Sequence, residues 1–211
     1  MDLFGNFILK CFNVFYPYKI HGKENLPKGP CIIVCNHFRA IDCGFVADIV
    51  NKNTYFLAKS ELFKNKLFAK VLKRLGGVPI NRGSVDVKAI KQCVGLLQNG
   101  SKLVIFPEGT RNKTGTDELQ EIKGGTAFIS IKSKVPIVPV IIRKKSKIFR
   151  ITHMMVGKPF EFTEFYDKKP TSEDAASMEK IIRENMLSTQ TELKQLLTKK
   201  PRKSKKEKKK C

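Results

Sequence analysis

The sequence predicts a single α/β domain in which helices flank a largely parallel mixed sheet. Six strand-like apolar runs alternate with segments of helical periodicity, which is the pattern of βαβ units. These runs are residues 31–35, 54–58, 77–80, 102–106, 135–142 and 149–156. With 211 residues and 41% hydrophobic composition, the chain suits one well-packed domain and is too short for two.

Helical periodicity is clearest in residues 62–75, where an apolar stripe lies opposite lysines. A second helix is predicted at residues 85–98, with Ser84 as its N-cap and Gly100 just after its end. The remaining two are residues 126–134 and 172–198. Strands that alternate with helices in this way predict parallel neighbours in the sheet.

Residues 1–18 predict an amphipathic helix ahead of the main domain, which we place at residues 19–198. Apolar side chains recur at helical spacing: Leu3, Phe4, Phe7, Ile8, Cys11, Phe12 and Phe15. At about 16 residues, with Lys10 inside it, the segment is too short and too polar to span a bilayer. It could lie in a membrane interface or pack on the core of the domain.

The net charge of +22 points to a polyanionic partner, whether nucleic acid, an anionic membrane or a phosphorylated substrate. Residues 199–211 hold nine Lys or Arg and one Glu, and this tail is predicted to be disordered. The charge that remains is spread over the rest of the chain, so the tail alone does not account for it.

The six cysteines are interpreted as reduced thiols of a cytoplasmic protein, because no cleavable secretion signal is recognisable. Cys31, Cys35, His37 and Cys43 together raise the alternative of a zinc site. The first two lie within a strand-like run, and no second Cys-x-x-Cys pair exists. We therefore expect no metal.

A candidate catalytic pair, His37 and Asp42, follows the first strand-like run. Five residues on a regular helix would turn the two side chains about 140° apart. Contact therefore requires a turn that keeps His37 outside a helix and puts Asp42 in its first turn. Asp42 would then fix the imidazole tautomer and stabilise the imidazolium. The alternative is a surface histidine beside a helix-starting aspartate.

Polar residues also follow the next three strand-like runs: Lys59, Arg82, and the group Glu108, Gly109, Thr110 and Arg111. Loops at the carboxyl ends of parallel strands meet at one edge of a sheet. Arginine forks suit a phosphate monoester, and backbone N–H groups around Gly109 and Thr110 could add donors. Each residue also has a plainer alternative, such as a surface position or a Glu108–Arg111 ion pair.

Four ordered blocks of this sequence resemble those of the glycerolipid acyltransferases, most closely the 1-acyl-sn-glycerol-3-phosphate (lysophosphatidic acid) acyltransferases. The blocks are Asn36-His37 with Asp42; Gly76-Gly77-Val78-Pro79-Ile80-Asn81-Arg82; Phe106-Pro107-Glu108-Gly109-Thr110-Arg111; and Val135-Pro136-Ile137-Val138-Pro139-Val140. The resemblance covers residues 20 to 160, and the ordered set is far more specific than the spacing of His37 and Asp42 alone.

The resemblance implies acyl transfer from acyl-CoA or acyl carrier protein to the sn-2 hydroxyl of lysophosphatidic acid, giving phosphatidic acid for phospholipid biosynthesis. It implies that His37 is the general base and that Asp42 orients it. Arg82, Glu108, Gly109, Thr110 and Arg111 match the acceptor-phosphate blocks, to which the strand-end position adds Lys59. Val135, Pro136, Ile137, Val138 and Pro139 match the block associated with the acyl chain or donor. No cofactor is expected beyond the acyl thioester itself.

The sequence departs from the family pattern at two positions. Arg39 stands where the family often has serine, and Asn81 stands where an aspartate commonly precedes the arginine. An arginine beside the base would tend to lower the histidine pKa unless it faces a phosphate. Arg39 is therefore either a substrate contact or a surface residue.

Three alternatives to this function remain open at this point. The first is an acyl-enzyme route through Cys43, which the neighbouring carboxylate opposes by disfavouring the thiolate. The second is an acyltransferase that acts on another lysolipid or on glycerol-3-phosphate. The third is a basic nucleic-acid-binding module, although the aromatic residues lie in apolar stripes and are not interleaved with basic ones.

The expected partners are lysophosphatidic acid, an acyl thioester (with acyl carrier protein as one possible carrier) and an anionic membrane; nucleic acid is not expected. We expect a peripheral or monotopic protein on the cytoplasmic face of the membrane, held by the basic tail and the N-terminal apolar stripe.

Overall fold

The computed structural model describes residues 13–50, 53–81, 86–114, 116–122, 125–166, 168 and 170–198. The strands are β1 (Tyr18–His21), β2 (Ile32–Cys35), β3 (Thr54–Lys59), β4 (Gly77–Ile80), β5 (Lys102–Ile105), β6 (Ile137–Ile142) and β7 (Thr152–Val156). The α-helices within these residues are α1 (Asp42–Val50), α2 (Lys66–Arg74), α3 (Val87–Gln98), α4 (Thr126–Ser133) and α5 (Ser172–Thr198).

The seven strands form one sheet in the order β1-β7-β6-β2-β5-β3-β4. Neighbours are parallel throughout except β6 and β7, which are antiparallel. The predicted fold class, a largely parallel mixed sheet flanked by helices, is confirmed. The carboxyl ends of β6, β2, β5, β3 and β4 lie at one edge of the sheet, which we call the catalytic edge.

Both faces of the sheet are covered, because successive side chains of a strand point to opposite sides. On β2, Ile32 and Val34 pack in a core with residues of α3, α4 and α5. Ile33 and Cys35 pack in a second core with residues of α1. A central strand buried on both faces explains why residues 31–35 are continuously apolar.

Several element boundaries differ from the sequence-based prediction. β7 begins at Thr152 and not at residue 149, because Phe149 has a left-handed backbone with φ 56° that cannot continue a strand. β6 begins at Ile137, two residues later than predicted. β1 was not predicted; its register pairs Tyr18 with Thr152, so the domain includes a residue that was assigned to the N-terminal helix.

The helices after β3 and β4 also differ in detail. α3 begins at Val87, and its N-cap is Asp86, whose side chain accepts a 3.0 Å hydrogen bond from the N–H of Ala89. The predicted cap, Ser84, lies outside the described residues. The segment predicted at 62–75 is a 3-10 turn (Ser60–Phe63) followed by α2, and much of its apolar stripe is exposed to solvent.

Residues 13–15 are helical, whereas residues 1–12 and 199–211 lie outside the described residues. The predictions of an interfacial helix and a disordered tail therefore remain predictions. Within the part of the chain that the structure describes, no helix combines the length and the apolar character needed to cross a membrane.

Candidate active site

His37 and Asp42 are in contact at the catalytic edge. His37 lies in the turn between β2 and α1, and Asp42 is the first residue of α1. The Nδ1 atom of His37 is 3.0 Å from Oδ2 of Asp42. The predicted contact across a turn into a helix is confirmed. With Nδ1–H donating to the carboxylate, Nε2 is left as the proton acceptor of a neutral imidazole.

Asp42 also holds the turn that carries His37. Its Oδ2 atom accepts hydrogen bonds of 2.6 Å from the backbone N–H groups of both Phe38 and Arg39. The carboxylate is fully buried at the first turn of α1, where the helix dipole favours a negative charge. One oxygen thus fixes both the backbone of the turn and the imidazole.

The His37 ring is stacked on Phe106, the residue that follows β5. Their ring centroids are 4.1 Å apart, with an angle of 28° between the planes. The contact arises because β2 and β5 are neighbours, with Val34 opposite Ile105. Only 14% of the histidine side chain is exposed, so the ring orientation is restricted by packing as well as by Asp42.

The backbone of His37 is held from the loop after β5. The N–H of Asn112 donates to the carbonyl of His37 at 2.7 Å. The N–H of His37 in turn donates to the Glu108 carboxyl. Asn36 adds a link on the other side: its side chain bonds both the N–H and the carbonyl of Ile142, at 2.8 and 3.0 Å.

These roles of Asn36 and Asn112 were missed in the sequence. Asn112 lies one residue after the third block, and its buried side chain also organises the following loop through Thr114 and Glu118. For Asn36 the available signal was a polar residue directly after a strand, whereas Asn112 lies seven residues after the end of β5 and gave no such signal. Their partners lie too far along the chain for that signal to identify them.

Glu108 lies behind His37 and not in solvent, since only 2% of it is exposed. Burial raises the pKa of its carboxyl to about 7; the charge of Asp42 adds to this rise, and the hydrogen bond from His37 opposes it. Its Oε2 atom has no hydrogen-bond partner among the described residues. Glu108 thus supports the turn that carries His37, between β2 and α1, which we call the catalytic turn. Arg111, by contrast, is exposed.

The turn after β5 depends on Gly109. Its φ is 65°, a left-handed conformation that glycine adopts at little cost, and its N–H donates to the carbonyl of Phe106 at 3.0 Å. The tight turn buries Glu108 and leaves Thr110 and Arg111 exposed at the catalytic edge. Thr110 and Arg111 are thus the members of this block whose side chains are accessible to a phosphate group from outside the protein.

Lys59, another predicted phosphate ligand, lies further along this edge. Lys59 is the last residue of β3, and its ammonium group pairs with Glu61 at 2.8 Å on the surface. Arg82 lies outside the described residues, two positions after the end of β4. Because strands are about 4.8 Å apart, β4 is about 14 Å from β2 across the sheet.

The fourth block lies inside the sheet, away from the catalytic edge. Ile137 is level with Ile32 at the start of β2, whereas His37 follows the end of that strand. Val135, Ile137, Val138 and Pro139 are buried, and Pro136 is half-buried. Their burial follows from the central position of β6, and their predicted contact with the acyl donor remains a prediction.

The structure bears on the role of Arg39 and on the acyl-enzyme route through Cys43. Arg39 is half-buried, and its guanidinium donates to the carbonyl of Ser146 at 3.0 Å. Burial, together with the charge of Asp42, raises the pKa of the Cys43 thiol to about 12. The thiolate required by an acyl-enzyme route is therefore strongly disfavoured.

The zinc alternative finds no support in the placement of the cysteines. Cys31 and Cys35 are fully buried in the core, and burial raises the pKa of both thiols. Among the described residues, no three His, Cys, Asp or Glu side chains are grouped so that they could hold a metal ion.

The chain matches the family model described as Acyltransferase over residues 17–143, which include all four blocks. It is 30% identical to the 1-acyl-sn-glycerol-3-phosphate acyltransferase of Bacillus subtilis (strain 168), over 84% of this chain and 90% of that protein. It is 33% identical to the chloroplastic 1-acyl-sn-glycerol-3-phosphate acyltransferase BAT2 of Brassica napus. That match covers 64% of this chain but spans only 39% of the plant protein.

The fold is also similar to a solved structure. The 1-acyl-sn-glycerophosphate (LPA) acyltransferase PlsC from Thermotoga maritima matches with a TM-score of 0.69 at 24% sequence identity. The match covers 94% of this chain and 78% of that chain. At this identity the likeness is one of fold.

Proposed function

We propose that this chain, which belongs to the acyltransferase family, is an O-acyltransferase that acylates the sn-2 hydroxyl of 1-acyl-sn-glycerol-3-phosphate. The product would be phosphatidic acid, and the donor an acyl thioester of coenzyme A or acyl carrier protein. The observation that carries the proposal is the His37–Asp42 contact at the catalytic edge of a family member. The choice of acceptor is supported by the names of the relatives, which specify 1-acyl-sn-glycerol-3-phosphate.

In this mechanism Nε2 of His37 takes the proton of the sn-2 hydroxyl as its oxygen attacks the thioester carbonyl. A tetrahedral intermediate forms and collapses, the carbon–sulfur bond breaks, and the thiolate takes the proton back from the imidazolium. Asp42 keeps the proton on Nδ1 and stabilises the transient positive charge. General-base catalysis of this kind contributes roughly 10²–10⁴-fold, and positioning of the two substrates supplies much of the rest.

The acceptor phosphate is proposed to bind along the catalytic edge. Thr110 and Arg111 are exposed there, one turn after the Phe106 ring that covers His37. Arg82 and Lys59 are the further cationic candidates, of which Lys59 would have to exchange its partner Glu61 for the phosphate. Glu108 would act indirectly, by holding the backbone of His37 while the turn at Gly109 presents Thr110 and Arg111.

The enzyme is proposed to work on an anionic membrane, on its cytoplasmic face, as a peripheral protein. The net charge of +22 supports this assignment, because an anionic lipid surface attracts basic segments. Both the acceptor and the product would be lipids that remain in the bilayer.

An acceptor panel tests the proposed function. The purified full chain is incubated with labelled acyl-CoA, or with acyl-charged acyl carrier protein, and 1-acyl-sn-glycerol-3-phosphate, glycerol-3-phosphate or uncharged lysolipids. The proposal predicts labelled phosphatidic acid as the main product. If glycerol-3-phosphate or an uncharged lysolipid is acylated faster than 1-acyl-sn-glycerol-3-phosphate, the proposed acceptor is wrong. The choice of donor follows from the same panel.

A further inference from the structure

An exposed apolar patch lies at the end of the sheet where β6 leads into β7. Its members are large hydrophobic residues, each between 51% and 69% exposed: Val14, Phe15, Ile148, Phe149 and Ile151. The two segments that carry these residues meet, since the Phe15 and Phe149 rings have centroids 5.8 Å apart. Contiguous exposed apolar residues of this kind mark a binding surface more often than scattered ones do.

The patch is held in place by backbone hydrogen bonds. The N–H of Phe149 donates to the carbonyl of Phe15 at 2.8 Å, and the N–H of Thr152 donates to that of Pro17 at 2.9 Å. Phe149 has a φ of 56°, which is unfavourable for a bulky side chain. Such a conformation persists only where surrounding contacts impose it, and the ring held in this way is 69% exposed.

Positive charge surrounds the patch. Residues 144–151 contain Lys144, Lys145, Lys147 and Arg150 and no acidic residue, and all four basic side chains are exposed. Apolar side chains ringed by basic ones match an anionic bilayer, whose headgroups attract the lysines while its acyl region accepts the hydrophobic groups. A nucleic acid would use the positive charge but not the aliphatic side chains at the centre.

The patch lies beside the catalytic turn. The carboxyl ends of β6 and β2 are adjacent, with Val140 opposite Cys35. Arg39, in the catalytic turn, donates to the carbonyl of Ser146 within the loop that bears the patch. Whatever surface the patch contacts will therefore face the same edge of the sheet as His37. This contact gives Arg39 a structural partner in the loop that bears the patch.

We propose that the apolar patch, with its basic rim, seats this protein on an anionic lipid bilayer and turns the catalytic edge toward the lipid. This inference rests on the proposed function for its purpose, because a lipid acceptor must reach His37 from the bilayer. The binding itself requires no acyl transfer and can be measured separately.

Because the chain contains no tryptophan, a single tryptophan introduced by mutation gives a fluorescence signal from its own position alone. The variant Phe149→Trp keeps an aromatic side chain at the patch. The variant Lys180→Trp places the same reporter on α5, at a polar side chain that is 79% exposed, as a control. Each full-length variant is mixed with phosphatidylcholine vesicles that contain phosphatidylglycerol, with and without brominated acyl chains. Emission is recorded, and sedimentation shows how much protein is bound.

With bound protein, we expect the emission of Phe149→Trp to shift to shorter wavelength and to be quenched by the brominated chains, while Lys180→Trp keeps its aqueous emission. Unshifted and unquenched emission from Phe149→Trp, equal quenching of the two variants, or failure to sediment would overturn the proposal. Short-wavelength emission without vesicles would overturn it as well, because the chain itself would then cover the patch.

A loss-of-function variant gives a second measurement. Phe149→Asn suits the left-handed backbone and, together with Ile151→Gln, removes two apolar groups. We expect vesicle affinity to fall by about tenfold or more at raised salt, which screens the basic segments; a change under twofold would contradict the proposal. If the wild type binds vesicles through the patch but does not acylate lysophosphatidic acid, the proposed function fails and this inference stands.

Discussion

The chain has three histidines, which form two sites of opposite character. His37 lies beside a central strand and contacts a buried carboxylate at 3.0 Å. His21 and His153 stack on each other across β1 and β7 at one end of the sheet, with Nε2 and Nδ1 3.2 Å apart. Lys19 lies near the second pair. Both sites offer imidazole rings, so the presence of a histidine does not by itself distinguish them.

The difference lies in what orients each ring. Asp42 accepts a hydrogen bond from Nδ1–H of His37, which leaves Nε2 as the nitrogen able to accept a proton. His21 and His153 offer each other only another imidazole, and whichever ring donates, the other must accept. Burial and the positive charge of Lys19 lower the pKa of both. A fixed hydrogen-bond acceptor determines which ring nitrogen carries the proton, and for His37 that acceptor is the carboxylate of Asp42.

The largest expected effect comes from removing that acceptor. Asp42→Asn can donate through its amide and no longer favours the Nδ1–H tautomer. We expect kcat/KM for acyl transfer to fall roughly 10²–10⁴-fold, measured with labelled acyl-CoA and lysophosphatidic acid. Asp48→Asn is a matched control in the same helix, since Asp48 contacts Tyr18 and Asn13 instead. A loss below tenfold in Asp42→Asn, or an equal loss in the control, would remove Asp42 from the proposed mechanism.

The next effect concerns stability as the pH rises. The pKa of Glu108 is raised from 4.5 to about 7 in the folded protein. Between these values the folded state holds a proton that the unfolded state has released, so stability falls as pH increases through this window. The difference is on the order of 3 kcal/mol. Glu108→Gln stays neutral and should lack this loss.

Urea unfolding of the wild type and Glu108→Gln at several pH values measures the difference. Parallel curves for the two proteins across that window would mean that the carboxyl titrates normally. A loss of stability in the wild type alone would show that deprotonation of Glu108 between pH 4.5 and about 7 weakens the support behind His37.

The smallest effect belongs to the histidine pair, and it has the opposite sign. Because the pKa values of His21 and His153 are lowered from 6.5, the unfolded state takes up protons first as pH falls. Stability should therefore decrease as pH drops below 6.5. His153→Gln should reduce this acid sensitivity in thermal unfolding while leaving acyl transfer near the wild-type rate. An unchanged acid slope would show that the pair does not couple to folding.

The sequence predicted most of the sheet, because its central strands are buried on both faces and therefore continuously apolar. It did not predict β1, where Lys19 and His21 break the apolar pattern and the partner strand is far along the chain. Nor did it distinguish a covered helix from an exposed one: the apolar stripe of α2 has helical spacing but largely faces solvent. Periodicity reports which face is apolar and not what lies against it.

In the candidate site, too, contacts within one turn were predictable from the sequence and contacts across the sheet were not. The contact between His37 and Asp42 was predictable because both belong to one turn. The roles of Asn36 and Glu108 were not, because their partners are backbone groups that only the sheet brings near. Glu108 illustrates the limit, since it was predicted as part of the acceptor-phosphate block, with an ion pair to Arg111 as the alternative, and is instead buried against the backbone of His37.

Replacing each histidine in turn tests the central claim, that His37 is the base, most directly. Acylation of lysophosphatidic acid is measured for His37→Ala, His21→Ala and His153→Ala, with thermal unfolding to establish that each variant is folded. The proposed mechanism predicts that His37→Ala loses roughly 10²–10⁴-fold in kcat/KM, whereas the other two remain within a few-fold of wild type. A folded His37→Ala that keeps more than about a tenth of the activity would contradict it.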